Sequence, residues 1–138
     1  NFRVEHGHPN CIEGLKRPLH TIIPGMVIDK DNNTTLSYGV MGGQYQPVGQ
    51  VHVLNNMIDY GMGPQEALSF PRAFHFNNIY KLEKSVDNQI FNELKEIGHN
   101  VEYIDGTHVG GQAIKINRTE GDLLGGSDPR KDGYAKGY

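Results

Sequence analysis

The sequence predicts an α+β fold in which antiparallel strands and helices occupy separate stretches of the chain. Residues 21–41 and residues 112–125 are β-branched or apolar runs interrupted by turn-forming residues, which is the pattern of a β-hairpin. Three segments with helical signals lie between these two hairpins. Hairpins and helices in separate runs are typical of layered α+β proteins rather than of doubly wound parallel sheets. The length of 138 residues favours a single domain.

The first hairpin leads into a pair of glycines. Its predicted strands cover residues 21–30 and residues 34–41, with Asp-Asn-Asn as the turn between them. The second strand ends at Gly42 and Gly43, which permit positive φ and leave backbone N–H groups accessible to a ligand. Such a turn can bind an anion or a developing oxyanion. The alternative is a tight strand-to-helix turn without a ligand.

Three helices are predicted after this turn. The first begins at Pro47, and its apolar stripe consists of Val48, Val51, Leu54 and Ile58. His52 lies beside the stripe and is expected to be a half-buried, hydrogen-bonded histidine rather than a catalytic one. The second helix covers residues 64–68. The third follows the cap candidates Ser85 and Asp87, and its apolar face consists of Ile90, Phe91, Leu94 and Ile97.

Short strands complete the predicted elements. Residues 80–84 and residues 101–104 flank the third helix, and the second hairpin has its strands at residues 112–117 and 123–125. Pro71-Arg72 with His75 is polar and awkwardly placed for a core, and no helix or strand is assigned there. Arg72 is expected to hold a loop through a backbone carbonyl, and binding of a carboxylate is the alternative.

Composition argues against several classes of function. The net charge is −3 and the basic residues are scattered, so no nucleic-acid partner is predicted. No apolar run approaches the roughly 20 residues of a membrane span. Cys11 is the only cysteine, which excludes an intrachain disulfide. His6, His8 and Cys11 lack a convincing fourth donor, so neither a metal nor a cofactor is predicted. A metal-binding domain built on the histidines is a third class of function. The sequence does not indicate a compartment.

Four stretches of the chain together resemble the gamma-glutamyltranspeptidase family, in the C-terminal part of its small subunit. They are residues 16–21 (Lys-Arg-Pro-Leu-His-Thr), residues 42–47 (Gly-Gly-Gln-Tyr-Gln-Pro), residues 59–62 (Asp-Tyr-Gly-Met) with Pro71-Arg72, and residues 125–130 (Gly-Gly-Ser-Asp-Pro-Arg) through Gly137-Tyr138. Because they occur in order over essentially the whole chain, residues 1–138 are interpreted as one C-terminal portion of such a subunit. The resemblance implies the Ntn-hydrolase αββα sandwich, of which this chain is only a part.

The resemblance also implies an activity. Members of the family cut themselves as precursors and expose an N-terminal threonine, which attacks γ-glutamyl amides of the glutathione kind and passes the acyl group to water or to an amino acid or peptide. This sequence begins with Asn1, which is not a nucleophile. The implied partners are therefore the large subunit and the threonine-bearing start of the small subunit, and the chain alone is expected to be inactive.

The site residues implied by the resemblance fall into two groups. Gly42 and Gly43 match the catalytic pair whose backbone N–H groups bind the oxyanion. Asn1 stands where an aspartate usually pairs with the substrate α-amino group, and His20 and Thr21 stand where two serines usually hold its α-carboxylate. These differences look more like the acylase-like branch of the family. Two alternatives follow: a relative that acts on another N-acyl amide, and a non-catalytic binding or assembly module that has kept the fold.

Overall fold

The computed structural model describes residues 3–19 and 21–138. Within these ranges the chain forms three α-helices and seven strands, which make two sheets. The helices are α1 (Gln46–Ile58), α2 (Pro64–Ser69) and α3 (Asn88–Glu96). The strands are β1 (Gly25–Ile28), β2 (Thr34–Val40), β3 (Ala73–Phe76), β4 (Ile79–Leu82), β5 (Val101–Tyr103), β6 (Gly111–Asn117) and β7 (Asp122–Ser127). The predicted α+β class is confirmed.

The two predicted hairpins, β1–β2 and β6–β7, form a single four-stranded sheet. Its strand order is β1-β2-β6-β7, and all three pairings are antiparallel. The central pairing sets Leu36 opposite Lys115 and Val40 opposite Gly111. The end of β2, where the glycine pair begins, therefore lies beside the start of β6.

The core lies on one face of this sheet. Leu36, Val40 and Ala113 point from the sheet to Val53 of α1 and to Ala67 and Leu68 of α2, and each of these six side chains is at most 5% exposed. Side chains alternate between the two faces of a strand. The opposite face carries Met26, Ile114 and Leu123, which are 62%, 47% and 67% exposed. The sheet is thus covered by helices on one face and open on the other.

The predicted apolar stripe of α1 is wrong at three of its four residues, since only Leu54 packs against the core. Val48, Val51 and Ile58 are 48%, 56% and 61% exposed, whereas the buried residues are Gln46, Gly49, Gln50, Val53 and Asn56. The face of α1 that carries Gly49 packs against the sheet for a steric reason. A Cβ on Gly49 would lie 2.4 Å from the Tyr45 ring and 2.9 Å from a Val40 methyl group. Only a small residue lets the helix approach the sheet this closely.

The second sheet has the order β3-β4-β5. The antiparallel strand β3 falls where no helix or strand was assigned, and it turns into β4 through Asn77 and Asn78, both with positive φ. Such a two-residue turn is typical of a tight hairpin. The β4–β5 pairing is parallel, which departs from the antiparallel expectation.

Helix α3 packs beside this second sheet. Asp87 accepts a hydrogen bond from the backbone N–H of Gln89 and caps the helix, as predicted. Phe91 stacks on Tyr103 with a centroid distance of 4.5 Å. The rest of the predicted apolar face is less covered, since Ile90 and Ile97 are 47% and 73% exposed.

Four buried charged residues join the two sheets. Arg72 and Asp128 are both fully buried and form an ion pair. Arg130 binds the carboxylate of Glu83 at 2.6 and 2.7 Å and that of Asp128 at 3.1 Å. Arg72 also donates to the carbonyl of Leu68, so it holds both a carbonyl, as predicted, and a carboxylate, the stated alternative. We call Arg72, Glu83, Asp128 and Arg130 the ion cluster.

No helix of the described residues is long and apolar enough to cross a bilayer. Within the same residues, no group of three or more histidine, cysteine, aspartate or glutamate side chains is arranged to hold a metal ion.

Candidate active site

The glycine pair forms a sharp turn between β2 and α1. Gly42 has φ 129° and Gly43 has φ 54°, values that side chains other than hydrogen rarely tolerate. The turn is closed by a hydrogen bond of 2.9 Å from the backbone N–H of Tyr45 to the carbonyl of Gly42. A short 3₁₀ segment, Gly43–Tyr45, then leads into α1.

The two glycines have different surroundings. A Cβ on Gly42 would lie 2.2 Å from a methyl group of Val109, whereas a Cβ on Gly43 would have no heavy atom within 4 Å. Among residues 3–19 and 21–138, neither backbone N–H group donates a hydrogen bond. The turn therefore offers two donors, with one glycine packed against the protein and the other beside open space.

A cleft of about 820 Å³ lies next to this turn, on the open face of the sheet. Gly42, Gly43 and Thr21 all line it, so the structure brings three of the five predicted site residues together. Asn1 and His20 lie outside the described residues. The other lining residues are mainly apolar or amide side chains, among them Leu19, Ile22, Pro24, Met41, Gln112 and Ile114. Within the described part of the chain, no side chain of the lining carries a charge at neutral pH.

Two glutamines that the sequence analysis did not single out lie between Thr21 and the glycine turn. Gln46 donates from Nε2 to the carbonyl of Thr21 at 3.1 Å and to that of Gly43 at 3.4 Å. Gln50, one turn later on α1, donates from Nε2 to the carbonyl of Ile23. A signal was present in the sequence, because Gln46 and Gln50 are spaced i, i+4 and so share one face of the helix.

The segment that packs against Gly42 is held by the ion cluster. The carbonyl of Val109 accepts a hydrogen bond from Arg72, and the backbone N–H of His108 donates to Glu83 at 2.8 Å. Met41 donates to the carbonyl of Gly110 at 3.0 Å. These contacts connect the buried charges to the segment at residues 108–110, and that segment to the residue before the glycine turn.

Tyr45 packs against the same segment. Its ring is 4% exposed and stacks on His108 with a centroid distance of 5.3 Å, while Phe74 meets it edge-on at 5.3 Å. Burial raises the pKa of Tyr45, so its hydroxyl stays protonated at neutral pH.

The surroundings of Glu83, one of the two acids of the ion cluster, keep its carboxyl group ionised. Burial by itself would raise the pKa of Glu83, but hydrogen bonds from Arg130 and from the backbone N–H groups of Arg72 and His108 outweigh that effect and lower it. Hydrogen bonds donated to a carboxylate favour the charged form of the group. Glu83 therefore serves as a fixed acceptor at neutral pH.

His52 is half-buried and hydrogen-bonded, as predicted. Its Nε2 lies 3.2 Å from Nδ2 of Asn56, and Asn56 also reaches the carbonyl of Ala67. Burial, followed by the charges of Arg72 and Arg130, lowers the pKa of His52. The neutral ring therefore accepts the amide hydrogen of Asn56.

The site can stabilise negative charge on an oxygen atom. Preorganised backbone N–H groups bind a developing oxyanion strongly, because they need no reorientation during the reaction. Within the described residues, no serine or threonine hydroxyl of the cleft is hydrogen-bonded to a histidine or lysine. The described part of the chain therefore offers two backbone donors beside a cleft and no activated nucleophile of its own.

A family model described as gamma-glutamyltranspeptidase matches residues 1–138. The chain belongs to the gamma-glutamyltranspeptidase family. Its relatives include the glutathione hydrolase-like YwrD proenzyme of Bacillus subtilis, which is 38% identical over 99% of this chain and 27% of its own length. The oxamate amidohydrolase proenzyme of Klebsiella pneumoniae is 32% identical over 99% of this chain and 27% of its own length. The chain thus spans about a quarter of these family members.

Solved structures of the family have the same fold. Cephalosporin acylase from Bacillus halodurans superposes with a TM-score of 0.82 at 36% identity, covering 100% of this chain and 27% of that chain. Gamma-glutamyltranspeptidase from Pseudomonas nitroreducens, complexed with L-DON, superposes with a TM-score of 0.79 at 26% identity, covering 96% of this chain and 69% of that chain. The predicted Ntn-hydrolase fold is confirmed, and this chain forms part of it.

Proposed function

We propose that this chain is the C-terminal portion of the small subunit of a self-processed amidohydrolase and acyltransferase with an N-terminal threonine, and that it supplies the oxyanion site. The observation that carries the proposal is the turn at Gly42 and Gly43, whose two backbone N–H groups have no partner among the described residues, beside a cleft that Thr21 also lines. Membership of a family that includes proenzymes with amidohydrolase names supports it.

The reaction is acyl transfer from an amide. The hydroxyl of a threonine outside this chain adds to the amide carbonyl, and its α-amino group takes the hydroxyl proton. The carbonyl π electrons move to oxygen, where the N–H groups of Gly42 and Gly43 bind the resulting negative charge. Collapse of this intermediate expels the amine, which takes up the proton, and leaves an ester. Water or an amino acid or peptide then accepts the acyl group. Each such donor lowers the barrier by about 3 kcal/mol.

The proposed substrate is a γ-glutamyl amide of the glutathione kind. Thr21, together with His20, would hold the α-carboxylate of the glutamyl group, and Asn1 would accept a hydrogen bond from its α-amino group. The proposed partners are the rest of the precursor, namely the large subunit and the threonine-bearing start of the small subunit. Relatives named as glutathione hydrolase proenzymes support this choice.

A second candidate is an acylase that acts on a different N-acyl amide. The described lining of the cleft carries no charged side chain, and a zwitterionic glutamyl group is best held by charges. The cephalosporin acylase structure also has higher identity to this chain than the transpeptidase complex, 36% against 26%. Both candidates use the same oxyanion site.

The test of the oxyanion role is Gly43→Ala in the complete enzyme. Gly43 has no neighbour that a methyl group would strike, but alanine is strained at φ 54°, so the turn should relax and misdirect its N–H groups. We expect a loss of at least tenfold in self-cleavage and in acyl-enzyme formation with γ-glutamyl and other acyl anilides, at an unchanged circular dichroism spectrum.

The matched control is Gly106→Ala, because Gly106 also has no heavy atom within 4 Å of an added Cβ. Unlike Gly43, it does not have a positive φ and does not line the cleft. This variant should keep full activity. If Gly43→Ala retains the activity of its control, the glycine turn is only a structural connection and the oxyanion assignment is wrong.

A further inference from the structure

We propose that Gln46 and Gln50 are positioning residues that fix the distance between the segment at residues 21–23 and the oxyanion turn. We call them the glutamine pair. The inference rests on the proposed function. In that function Thr21 binds one part of the substrate, and the N–H groups of Gly42 and Gly43 bind its reacting carbonyl oxygen. It adds two residues that do not themselves touch the reacting atoms.

Gln46 contacts both sides directly. Its backbone N–H donates to the carbonyl of Gly43, and its side-chain Nε2 donates to the carbonyls of Thr21 at 3.1 Å and Gly43 at 3.4 Å. The amide nitrogen carries two hydrogens, one for each carbonyl. A single side chain, 7% exposed, thus joins the substrate-binding segment to the turn.

Gln50 extends the same contact by one turn of α1. Its Nε2 donates to the carbonyl of Ile23, while its Oε1 is buried and has no hydrogen-bond partner among the described residues. The opposite orientation of the amide would set two acceptor oxygens against each other. Burying the unsatisfied Oε1 costs free energy. The flipped amide would lose the bond to Ile23 and add a repulsion between two oxygens, so the observed orientation is preferred.

The segment at residues 21–24 has few other attachments. Within the described part of the chain, no backbone–backbone hydrogen bond joins these residues to the rest of the protein, and the side chain of Ile22 is 80% exposed. The sheet pairing of β1 begins only at Gly25. The position of Thr21 over the cleft therefore depends on the glutamine pair.

This geometry predicts a kinetic effect rather than a purely structural one. When the bonds of Gln46 are lost, Thr21 still offers its hydroxyl to substrate, but the substrate no longer lies in register with the N–H groups of the turn. A misplacement of about 1 Å is enough to cost up to about 100-fold in rate. The effect should fall on kcat and leave KM within threefold.

The first variant is Gln46→Met in the complete enzyme, which keeps the length of the side chain and removes the donor. We expect kcat for the best amide substrate to fall at least tenfold. The matched control is Gln65→Met, because Gln65 also clamps the backbone, donating to the carbonyl of Ser127 at 2.8 Å and accepting from its N–H at 3.0 Å. The control should lose thermal stability and keep its kcat.

The second variant is Gln46→Glu, which has the same shape. An ionised carboxylate cannot donate and repels both carbonyls, whereas a protonated carboxyl group donates one hydrogen bond. The kcat of this variant relative to wild type should therefore rise as the pH falls through the pKa of the new carboxyl group. A merely structural role would give a constant ratio.

The experiment separates the inference from the function on which it rests. If wild-type enzyme cleaves no amide, the proposed function is wrong, and faster cleavage between residues 21 and 23 by a broad-specificity protease in Gln46→Met would still show that the glutamine pair holds this segment. If wild type is active and Gln46→Met keeps its kcat within twofold, the positioning role is wrong. An unchanged rate of proteolysis between residues 21 and 23 would contradict it as well.

Discussion

Gly126 packs so closely against α2 that an added methyl group would clash with backbone atoms. A Cβ at this position would be 2.7 Å from the carbonyl carbon of Pro64 and 2.8 Å from the nitrogen of Gln65. Backbone gives way less readily than the end of a side chain, so this glycine of the Gly-Gly-Ser-Asp-Pro-Arg stretch is explained by the packing of β7 against α2 rather than by chemistry.

Gly126→Ala should therefore destabilise the complete enzyme by about 1–3 kcal/mol, the usual cost of overpacking. The comparison is Gly39→Ala on β2, where an added Cβ has no heavy atom within 4 Å. Gly39→Ala should be neutral or slightly stabilising, because alanine loses less backbone entropy on folding than glycine. Urea unfolding of both variants measures the difference, and equal midpoints would contradict the packing argument.

His52 should make stability depend on pH. Its pKa is lowered in the folded protein, so the unfolded chain binds the proton more readily. The resulting stabilisation is complete above the unfolded pKa of about 6.5 and is lost as the pH falls from there through the lower folded value. Protonation also removes the acceptor that Asn56 uses.

Thermal melting of the complete enzyme between pH 7.5 and pH 5 tests this expectation. The melting temperature of wild type should fall across this range, and His52→Asn should show a smaller fall, because asparagine does not titrate. An identical pH dependence in both proteins would mean that His52 contributes nothing to it.

Single residues of the site were predictable where their chemistry is local. A Gly-Gly pair at the end of an apolar strand indicates an exposed backbone turn without any tertiary information. Gln46 and Gln50 were not found, because the helical stripe was assigned from apolar residues alone. The bonds of Gln46 and Gln50 to Thr21 and Ile23 depend on how α1 rotates against the sheet, which the glycine at position 49 decides.

At the scale of elements, α3 depends on its N-terminal cap. Asp87 accepts from the backbone N–H of Gln89 at 2.7 Å, which satisfies one of the free donors of the first turn. Asp87→Ala should cost about 1 kcal/mol. Ser85, the other cap candidate, lies outside the helix start, so Ser85→Ala should leave the midpoint of urea unfolding unchanged. Equal effects of the two substitutions would show that Asp87 does not act as the cap.

The elements differ in how far the sequence determines them. Both outer hairpins were predictable because their turns carry Asp-Asn-Asn and Glu-Gly-Asp between β-branched runs. Strand β3 was missed because Arg72 and His75 gave its surroundings a polar character, although Asn77-Asn78 is a recognisable turn. The buried face of α1 was wrong because the close approach at Gly49 outweighs the hydrophobic pattern.

At the scale of the whole molecule, the ion cluster connects the two sheets. Arg72→Met should leave the carboxylate of Asp128 buried with fewer donors, and breaking a buried pair in this way costs about 3–5 kcal/mol. The double variant Arg72→Met with Asp128→Leu removes both charges and should recover part of that loss, as hydrophobic replacements of ion pairs often do. Urea unfolding of the complete enzyme provides both values.

A double variant that is as unstable as the sum of its two single variants would show that the two charges act independently. Since Arg130 also binds Asp128 at 3.1 Å, recovery should remain incomplete. Substituting the exposed pair of Lys84 and Asp105, which lie 2.7 Å apart, should leave the midpoint of urea unfolding nearly unchanged, because exposed ion pairs contribute little.

The overall architecture was predictable as a class but not as a topology. Separate runs of hairpins and helices indicated α+β, and the four family stretches indicated the Ntn-hydrolase fold. Nothing local specified that the two hairpins pair through β2 and β6, because that contact joins distant parts of the chain. The ion cluster was equally hidden, since its four members are dispersed from residue 72 to residue 130.

The pairing of β2 with β6 also determines when the four-stranded sheet can be completed during synthesis. Leu36 pairs with Lys115, so the central strands of the sheet lie more than half a chain apart. At about 5–20 residues per second, the ribosome leaves the first hairpin without its neighbour for several seconds. Throughout that interval Leu36 and Val40 lack Ala113, the core residue that β6 contributes. Slow, non-local pairing of this kind exposes nascent chains to aggregation, so the first hairpin is the segment on which we expect chaperones to act.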